Sequence, residues 1–139
     1  EREMNPYCLS TGVALQPWSP LARGILAGAY RGSLDGGTTA RSTGQDRTRT
    51  ESLYRGEMDF EIADRVIALA DDRDCRPAQI AVAWLLAKPG ITAPVVGVSR
   101  VEQLQQLVEA CSIELSSQEL DHLEELYRPV ENLLSIGTS

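Results

Sequence analysis

The sequence predicts an α/β fold in which two parallel strands are joined by a helical crossover. Its apolar pattern runs strand, loop, helix, helix, strand, helix, helix along 139 residues. A strand followed by helices and a second strand requires a parallel pair with a right-handed connection. Parallel sheets are buried on both faces and joined to further strands. Because a complete (β/α) barrel takes about 250 residues, we expect this chain to form a portion of one.

The first predicted strand covers residues 13–18. A short charged helical segment precedes it, and we expect that segment to break at Asn5-Pro6 and again at Gly12. Pro17 is expected to end the strand, because proline has no N–H to donate to a sheet. The turn-forming residues 19–24 then follow the carboxyl end of the strand, which is where ligands bind in α/β folds.

A long connection and two helices are predicted to separate the strands. Residues 30–57 are interpreted as a long, mobile surface loop, because residues 30–50 are mainly Gly, Ser, Thr, Asp and Arg. A helix over 59–72 has apolar residues at helical spacing and Asp59 as its predicted N-cap. Pro77 begins the next helix, which is expected to stop before Pro89-Gly90.

The second strand is predicted over residues 92–98, a short β-branched segment that we expect to be buried. Ser99 is expected to cap a helix over 100–110. Ser116 and Glu119 have the spacing of a capping box before the last helix, which Pro129 is predicted to end.

Charge and hydropathy exclude several classes of partner. The chain has 13 basic and 20 acidic side chains and a net charge of −7. Nucleic acids and anionic membranes require clustered positive charge, which this sequence lacks. The longest apolar run, residues 80–87, is far shorter than the about 20 residues of a membrane helix. We therefore expect a small-molecule or protein partner.

The cysteines predict neither a disulfide framework nor a zinc site. Cys8, Cys75 and Cys111 are odd in number, far apart and outside any CxxC spacing. A cytoplasmic location fits best, because reducing compartments keep such thiols free. The chain opens on Glu1 without a signal segment, and we expect it to be cut from a longer chain.

Other polar residues are interpreted as structural. His122, the only histidine, lies between leucines of the last helix and is expected to face water. The pairs Asp71-Asp72 and Glu124-Glu125 are predicted to be solvated, since adjacent residues do not face one another on a helix. Trp84 falls on an apolar helical stripe and is predicted to lie in the core.

One candidate ligand site lies between the second strand and its following helix. Gly97 allows a ligand to approach the backbone, the helix start offers unpaired N–H groups, and Arg100 adds a cation. These features predict a phosphate site. The alternative is an ordinary strand-to-helix turn, with Ser99 as a cap and Arg100 in solvent.

A second candidate site follows the first strand. The flat ring of Trp18 stands at the strand end, where it could stack on a planar cofactor, and Ser19 and Arg23 follow in the turn. The alternative is that Trp18 fills the core and Arg23 is a surface charge.

Three sequence blocks, in order and spacing, resemble the aldo-keto reductases, in particular their bacterial members. They are GVALQPWSPLARG at 12–24, PAQIAVAWLL at 77–86 and APVVGVSRVEQL at 93–104, and the tail LYRP at 126–129 is also similar. The resemblance implies a (β/α)8 TIM barrel that transfers hydride from NADPH to an aldehyde or ketone. It places residues 1–139 in the C-terminal portion of the barrel, as strands seven and eight with their helices.

Carried over position by position, the resemblance implies a cofactor site in two parts. Trp18 would stack on the nicotinamide ring, and the pyrophosphate would be lined by Ser19, Leu21 and Arg23. The adenosine 2′-phosphate and its ribose would be held by Gly97, Ser99, Arg100 and Gln103.

The chain also departs from the family pattern. Many family members have Glu-Asn at the positions that contact the adenine, and this chain has Gln106-Leu107 there. The Gln106 amide can still reach the base, whereas the apolar Leu107 cannot hydrogen-bond to it. The family's catalytic Asp, Tyr, Lys and His lie in the first half of the barrel and have no counterpart here. Lys88 does not match the catalytic lysine.

The resulting expectation is an NADPH-dependent oxidoreductase in which this chain supplies the cofactor-binding part and is inactive alone. Its exposed strand edges and apolar helix faces predict self-association or a rearranged packing. A non-catalytic nicotinamide-binding or protein-interaction module is the alternative, and a structural fragment that binds no ligand is a third possibility.

Overall fold

The computed structural model describes residues 3–30, 34, 45–54 and 56–128, and helices dominate this part of the chain. The α-helices, numbered in chain order, are α1 Met4–Thr11, α2 Gln45–Leu53, α3 Glu57–Asp72, α4 Pro77–Leu86, α5 Val101–Glu109 and α6 Ser117–Glu124. Two 3₁₀ helices cover Ala22–Ala27 and Ala110–Ser112. None of the helices in the described part has the length and apolar content that crossing a membrane requires.

Two extended segments pair in parallel where the sequence predicts strands. Leu15 pairs with Ile91 and Trp18 with Val95, each as an isolated bridge. The Thr92 N–H donates to the Leu15 carbonyl at 2.9 Å, and the Val95 N–H donates to the Pro17 carbonyl at 2.8 Å. The parallel pairing predicted from the sequence is therefore confirmed among the described residues, although the full length of either predicted strand is not.

Two details of the strand prediction are wrong. Pro17 does not end the pairing, because a proline keeps its carbonyl as an acceptor and Trp18 forms the next bridge. The second segment is not buried, since Val95 is 53% and Val98 40% exposed. A parallel pair is covered on both faces only when neighbouring strands and helices enclose it.

The core is built around α4, which is buried on several sides. Residues 79–83 of this helix are buried in succession, so no polar face remains over that stretch. Ile80 and Ala81 pack with Val66 and Ala70 of α3 and with Leu123 of α6. On its other side, a second cluster contains Val82, Leu107 and Ala110. The helix thus joins α3 and α6 to α5.

Helix α3 is amphipathic and covers the centre of this core. Its buried residues recur every three or four positions and are Phe60, Ala63, Val66, Ile67 and Ala70. The helix begins at Glu57, two residues before the predicted start. Gly56 is the N-cap, and Asp59 instead accepts a hydrogen bond from the Gly56 N–H at 3.2 Å. The prediction of Asp59 as the cap is wrong, because its carboxylate acts from the third helical position.

The first helix differs from its prediction at one of its two expected breaks. Helix α1 runs through Asn5-Pro6, because Pro6 lies in the first turn, where N–H groups have no partner within the helix. It ends at Gly12, whose φ of 71° is left-handed, as expected of a helix-terminating glycine.

The predicted loop over residues 30–57 contains helix α2, so the loop interpretation is wrong for Gln45–Leu53. Leu53 is the one apolar residue of this helix, so it has no apolar period, which is why hydrophobic spacing did not reveal it. Residues 31–33, 35–44 and 55 of the predicted loop lie outside the described residues, as does Pro129, the predicted end of the last helix.

An ion pair connects the end of α3 to the start of α6. The Glu119 carboxylate accepts two hydrogen bonds from Arg73, at 2.6 and 2.7 Å. It also accepts the Ser116 N–H at 2.7 Å, while the Ser116 hydroxyl accepts the Glu119 N–H at 3.3 Å, which confirms the predicted capping box. Hydrogen bonds from Arg73 and Ser116 lower the pKa of Glu119 to about 2.

We expect Glu119→Gln to lower the free energy of unfolding at neutral pH by about 0.2–1 kcal/mol, the usual contribution of an ion pair near the surface. Glutamine keeps one acceptor oxygen for the capping box but replaces the other with an NH2 donor, so the substitution removes the negative charge and one hydrogen bond from Arg73. The pKa of the Glu119 carboxyl is lower in the folded chain than in the unfolded chain. The stabilisation that the charged carboxylate provides is therefore fully present above about pH 4.3 and is lost as the pH falls towards about 2. Urea unfolding across this range measures the effect. If the unfolding free energies of the original chain and of Glu119→Gln differed by the same amount at every pH, the prediction would be contradicted.

Candidate functional site

The parallel pairing places the two candidate ligand segments at the same edge. Trp18 pairs with Val95, so residues 19–24 and 97–103 leave the paired segments in the same direction. Ligands of α/β proteins bind at the carboxyl ends of parallel strands. The fold therefore brings together the two groups of residues that the sequence singled out separately.

The turn after Trp18 has an unusual backbone. Ser19, Ala22 and Arg23 have φ values of 57°, 47° and 57°, and Gly24 follows at 102°. Left-handed conformations are uncommon for residues other than glycine and cost about 1–3 kcal/mol each. Such strained residues cluster at ligand sites, and turns of this kind can direct successive N–H groups towards an anion. The conformation is thus the kind expected of a phosphate-binding turn.

The side chains of this turn have three different surroundings. Trp18 is 72% exposed, so the alternative in which it fills the core is wrong for the described structure. Leu21 packs against both core clusters that flank α4 and anchors the turn. Arg23 is half-buried, and its Nε donates to the Thr50 hydroxyl at 3.1 Å, so it is not a simple surface charge.

The second candidate segment is capped by Gln103. Its Oε1 accepts hydrogen bonds from the Ser99 N–H at 2.9 Å, the Ser99 hydroxyl at 3.2 Å and the Arg100 N–H at 3.2 Å. Helix α5 begins at Val101, with Arg100 as its N-cap residue. The prediction of Ser99 as the cap is wrong, because a glutamine at the third helical position reaches back to the same donors.

The surface around this segment has room for a ligand. A shallow depression of about 240 Å³ is lined by Val98, Ser99, Arg100, Val101 and Leu104. A Cβ added at Gly97 would meet nothing within 4 Å. Arg100 is exposed, so a guanidinium is available at the start of α5, while Glu102 adds a negative charge in its first turn. The Ser99 hydroxyl already donates to Gln103 and keeps only its acceptor capacity. Gln106 is half-buried one turn further along.

The residues at this edge provide groups that suit a ligand with a planar ring and phosphate groups. An exposed aromatic ring suits a planar ring system, a strained turn with a half-buried arginine suits a pyrophosphate, and an exposed arginine at a helix start suits a terminal phosphate. Among the described residues, no group of three or more His, Cys, Asp or Glu side chains is placed to hold a metal ion.

Sequence reasoning missed a polar cluster between α4 and the end of α6. Glu124 pairs with the Lys88 ammonium and accepts the Trp84 Nε1–H at 2.9 Å. The Lys88 nitrogen also lies 4.9 Å from the centre of the Trp84 ring. Burial opposes the charge of Glu124, but the hydrogen bonds from Lys88 and Trp84 lower its pKa below the usual value. The prediction of a solvated Glu124 holds only in part, because its side chain is 40% exposed but is held by Lys88 and Trp84.

This polar cluster borders an apolar pocket of about 280 Å³ between α3, α4 and α6. The i, i+4 spacing of Trp84 and Lys88 is visible in the sequence and predicts that the two are neighbours. Their contact with Glu124, 36 residues beyond Lys88, arises only from the packing of α6. Trp84 is half-buried at the edge of the core, which its apolar stripe predicted in part.

The three cysteines and the histidine differ in their exposure. Cys8 is buried, Cys75 half-buried and Cys111 exposed, and all three are free thiols. Burial raises the pKa of the Cys75 thiol, which disfavours the reactive thiolate. His122 is exposed, as predicted, and its backbone carbonyl accepts a hydrogen bond from Arg65.

Comparison with known proteins identifies the family to which this chain belongs. The Aldo/keto reductase family model matches residues 1–128, so the chain belongs to the aldo/keto reductase family. Family membership implies the (β/α)8 barrel architecture, of which the described residues contain one parallel pair.

The similar proteins come from fungi and bacteria. Versiconal hemiacetal acetate reductase of Aspergillus parasiticus is 41% identical over 131 residues, which are 93% of this chain and 36% of that protein. An aldo-keto reductase of Fusarium vanettenii is 37% identical over 93% of this chain and 33% of its own length. An uncharacterized oxidoreductase of Mycobacterium bovis is 41% identical over 81% of this chain and 34% of its own length. The chain thus spans about a third of the length of these relatives.

We expect Gln103→Ala to lower the free energy of unfolding by about 1 kcal/mol, because it removes the acceptor at the start of α5. Gln105, exposed on the same helix, supplies the matched control, and Gln105→Ala should change stability by less than about 0.5 kcal/mol. Urea unfolding of both variants makes the comparison. Equal losses in the two variants would show that Gln103 has no capping role.

Proposed function

We propose that this chain is the C-terminal, cofactor-binding portion of an NADPH-dependent aldo-keto reductase, corresponding to strands seven and eight of the barrel. The observation that carries the proposal is the pairing of Trp18 with Val95. Because the pairing is parallel, the strained turn that contains Arg23 and the helix start that contains Arg100 both follow the same end of the paired segments. The order of the elements, with a helical crossover between parallel segments, supports the same proposal.

In this proposal the two segments divide the cofactor between them. Trp18 stacks on the nicotinamide ring, and the pyrophosphate is bound by the turn that contains Ser19, Leu21 and Arg23. The 2′-phosphate and ribose of the adenosine are bound by Gly97, Ser99, Arg100 and Gln103, and Gln106 contacts the adenine. The bound cofactor supplies the hydride. The residues of this chain orient its ring and neutralise its phosphate charge.

The substrate class that fits is a small aldehyde or ketone, and the reaction is its reduction. Protonation of the carbonyl oxygen then falls to a general acid outside these 139 residues, because no residue here matches the family's catalytic positions.

The location we propose is the cytoplasm. Membership of a bacterial subgroup stays a prediction, since the relatives include fungal and mycobacterial proteins.

Exposed apolar side chains favour association of this chain with other barrel strands or with copies of itself. Met4, Tyr7 and Leu9 of α1 are exposed, as are Val101 and Val108 of α5. Exposed apolar surface of this kind is typical of contacts between proteins or between parts of one domain. A non-catalytic module that binds a nicotinamide cofactor or a protein partner is the alternative that such surfaces also support.

Titration of NADPH and NADH into the chain, followed by tryptophan fluorescence, tests the proposed function. We expect saturable binding of NADPH that is tighter than that of NADH, because only NADPH carries the 2′-phosphate. Arg100→Ala should weaken NADPH binding about tenfold and leave NADH binding nearly unchanged, since hydrogen bonds to charged groups contribute about 1.5–3 kcal/mol. Arg76→Ala removes an exposed arginine at the start of α4 and is the matched control. The absence of binding of either nucleotide would refute the proposal.

Gly97→Ala provides an independent test at the same edge. A Cβ at Gly97 meets open space, and its backbone is outside the left-handed region, so stability should change by less than about 0.5 kcal/mol. NADPH binding should nevertheless weaken, because the added methyl group occupies the approach to the backbone. Gly90→Ala is the contrasting variant: φ there is 84° and a Cβ would lie 3.0 Å from Leu9, so it should destabilise the fold. Unchanged NADPH affinity of Gly97→Ala would remove Gly97 from the proposed site.

A further inference from the structure

Thr50 and Arg23 meet although 27 residues separate them in the sequence. Arg23 lies in the 3₁₀ helix Ala22–Ala27, and its Nε donates to the Thr50 hydroxyl of α2 at 3.1 Å. Thr50 is only 1% exposed, which is unusual because threonine is mostly a surface residue. The hydroxyl of a buried threonine requires a hydrogen-bonding partner, and Arg23 is one.

The surroundings hold both partners in place. The backbone of Arg23 is left-handed, with φ 57° and ψ 26°, which sets the direction in which its side chain leaves the turn. The Tyr54 N–H donates to the Thr50 carbonyl at 2.9 Å and closes the end of α2. Burial and the charge of Asp59 raise the pKa of Tyr54, and the charge of Arg23 opposes this rise. The guanidinium therefore lies close enough to the end of α2 for its charge to act there.

We propose that Thr50 is a positioning residue that orients the guanidinium of Arg23 towards the phosphates of the cofactor, an inference that rests on the proposed function. An arginine side chain is long and loses rotational freedom when it is ordered. A bond from Nε to a buried β-branched residue restricts that rotation and defines the plane of the guanidinium. Arginine recognises phosphate through the fixed geometry of this planar group, so orienting the plane before the ligand arrives strengthens binding.

NADPH titration of Thr50→Val, Thr50→Ser and Arg23→Gln, followed by tryptophan fluorescence, tests the inference. Valine removes the hydroxyl and keeps the branched shape, and we expect NADPH to bind Thr50→Val about three- to tenfold more weakly. Serine keeps the hydroxyl and should preserve the affinity. In an Arg23→Gln background, Thr50→Val should cause no further loss of NADPH affinity, because Thr50 acts on the cofactor only through Arg23.

A second ligand separates positioning from a general structural effect. Adenosine 2′-phosphate carries only the part of the cofactor assigned to the segment around Arg100, so Thr50→Val should leave its affinity unchanged. If the role of Thr50 were merely structural, Thr50→Val would weaken the binding of both ligands. Ser52→Ala, on an exposed position of the same helix, is the control and should change neither affinity. Thermal unfolding of each variant establishes that the fold is intact.

The outcomes distinguish the inference from the function on which it rests. If Arg23→Gln weakens NADPH binding and Thr50→Val does not, the positioning role is wrong and the proposed function stands. If Arg23→Gln has no effect, both the pyrophosphate role of Arg23 and the inference are wrong, while Arg100→Ala still tests the remainder of the site. If the chain with no substitution does not bind NADPH, the proposed function and the inference both fail.

Discussion

The hydrogen bond from the Val95 N–H to the Pro17 carbonyl determines how the two halves of this chain meet. It closes a connection of more than seventy residues and sets the register in which Trp18 stands beside Val95. A shift of one residue would turn the side chains of the shifted segment to the opposite face and would change which residues pair at this edge. The geometry of the candidate site therefore depends on a contact between backbone atoms.

Helix α4 connects the paired segments to the rest of the described structure. It packs on α3 and α6 on one side and on α5 on the other, and its run of buried residues leaves no solvated face over 79–83. Leu21 contacts the clusters on both sides, so the strained turn after Trp18 is attached directly to the core. Strain in non-glycine residues persists only where surrounding packing holds it. The anchoring of Leu21 provides that support.

Polar contacts at the outer helices serve a different purpose. The pairs Arg73 with Glu119 and Lys88 with Glu124 connect the ends of α3 and α4 to α6. Pairs near the surface contribute little free energy individually, but they limit how α6 can be placed on the core. They lie on helices away from the edge that carries Trp18 and Arg100. The chain thus separates the interactions that place its outer helices from the residues that form its candidate ligand site.

The sequence by itself determined the parallel pairing, α3 and α4, and the capping box at Ser116. The ligand roles of the candidate site residues stay predictions. The helices and the capping box depend on spacing or turn chemistry within a few neighbouring residues, which a single sequence displays directly. The parallel pairing follows from the order of strand, helices and strand along the chain. The sequence did not reveal α2, whose polar residues show no apolar period, or the contacts Thr50 with Arg23 and Glu124 with Lys88. Those contacts join residues far apart in the chain. Only the tertiary structure decides them, because they depend on how separate helices pack and not on local preference.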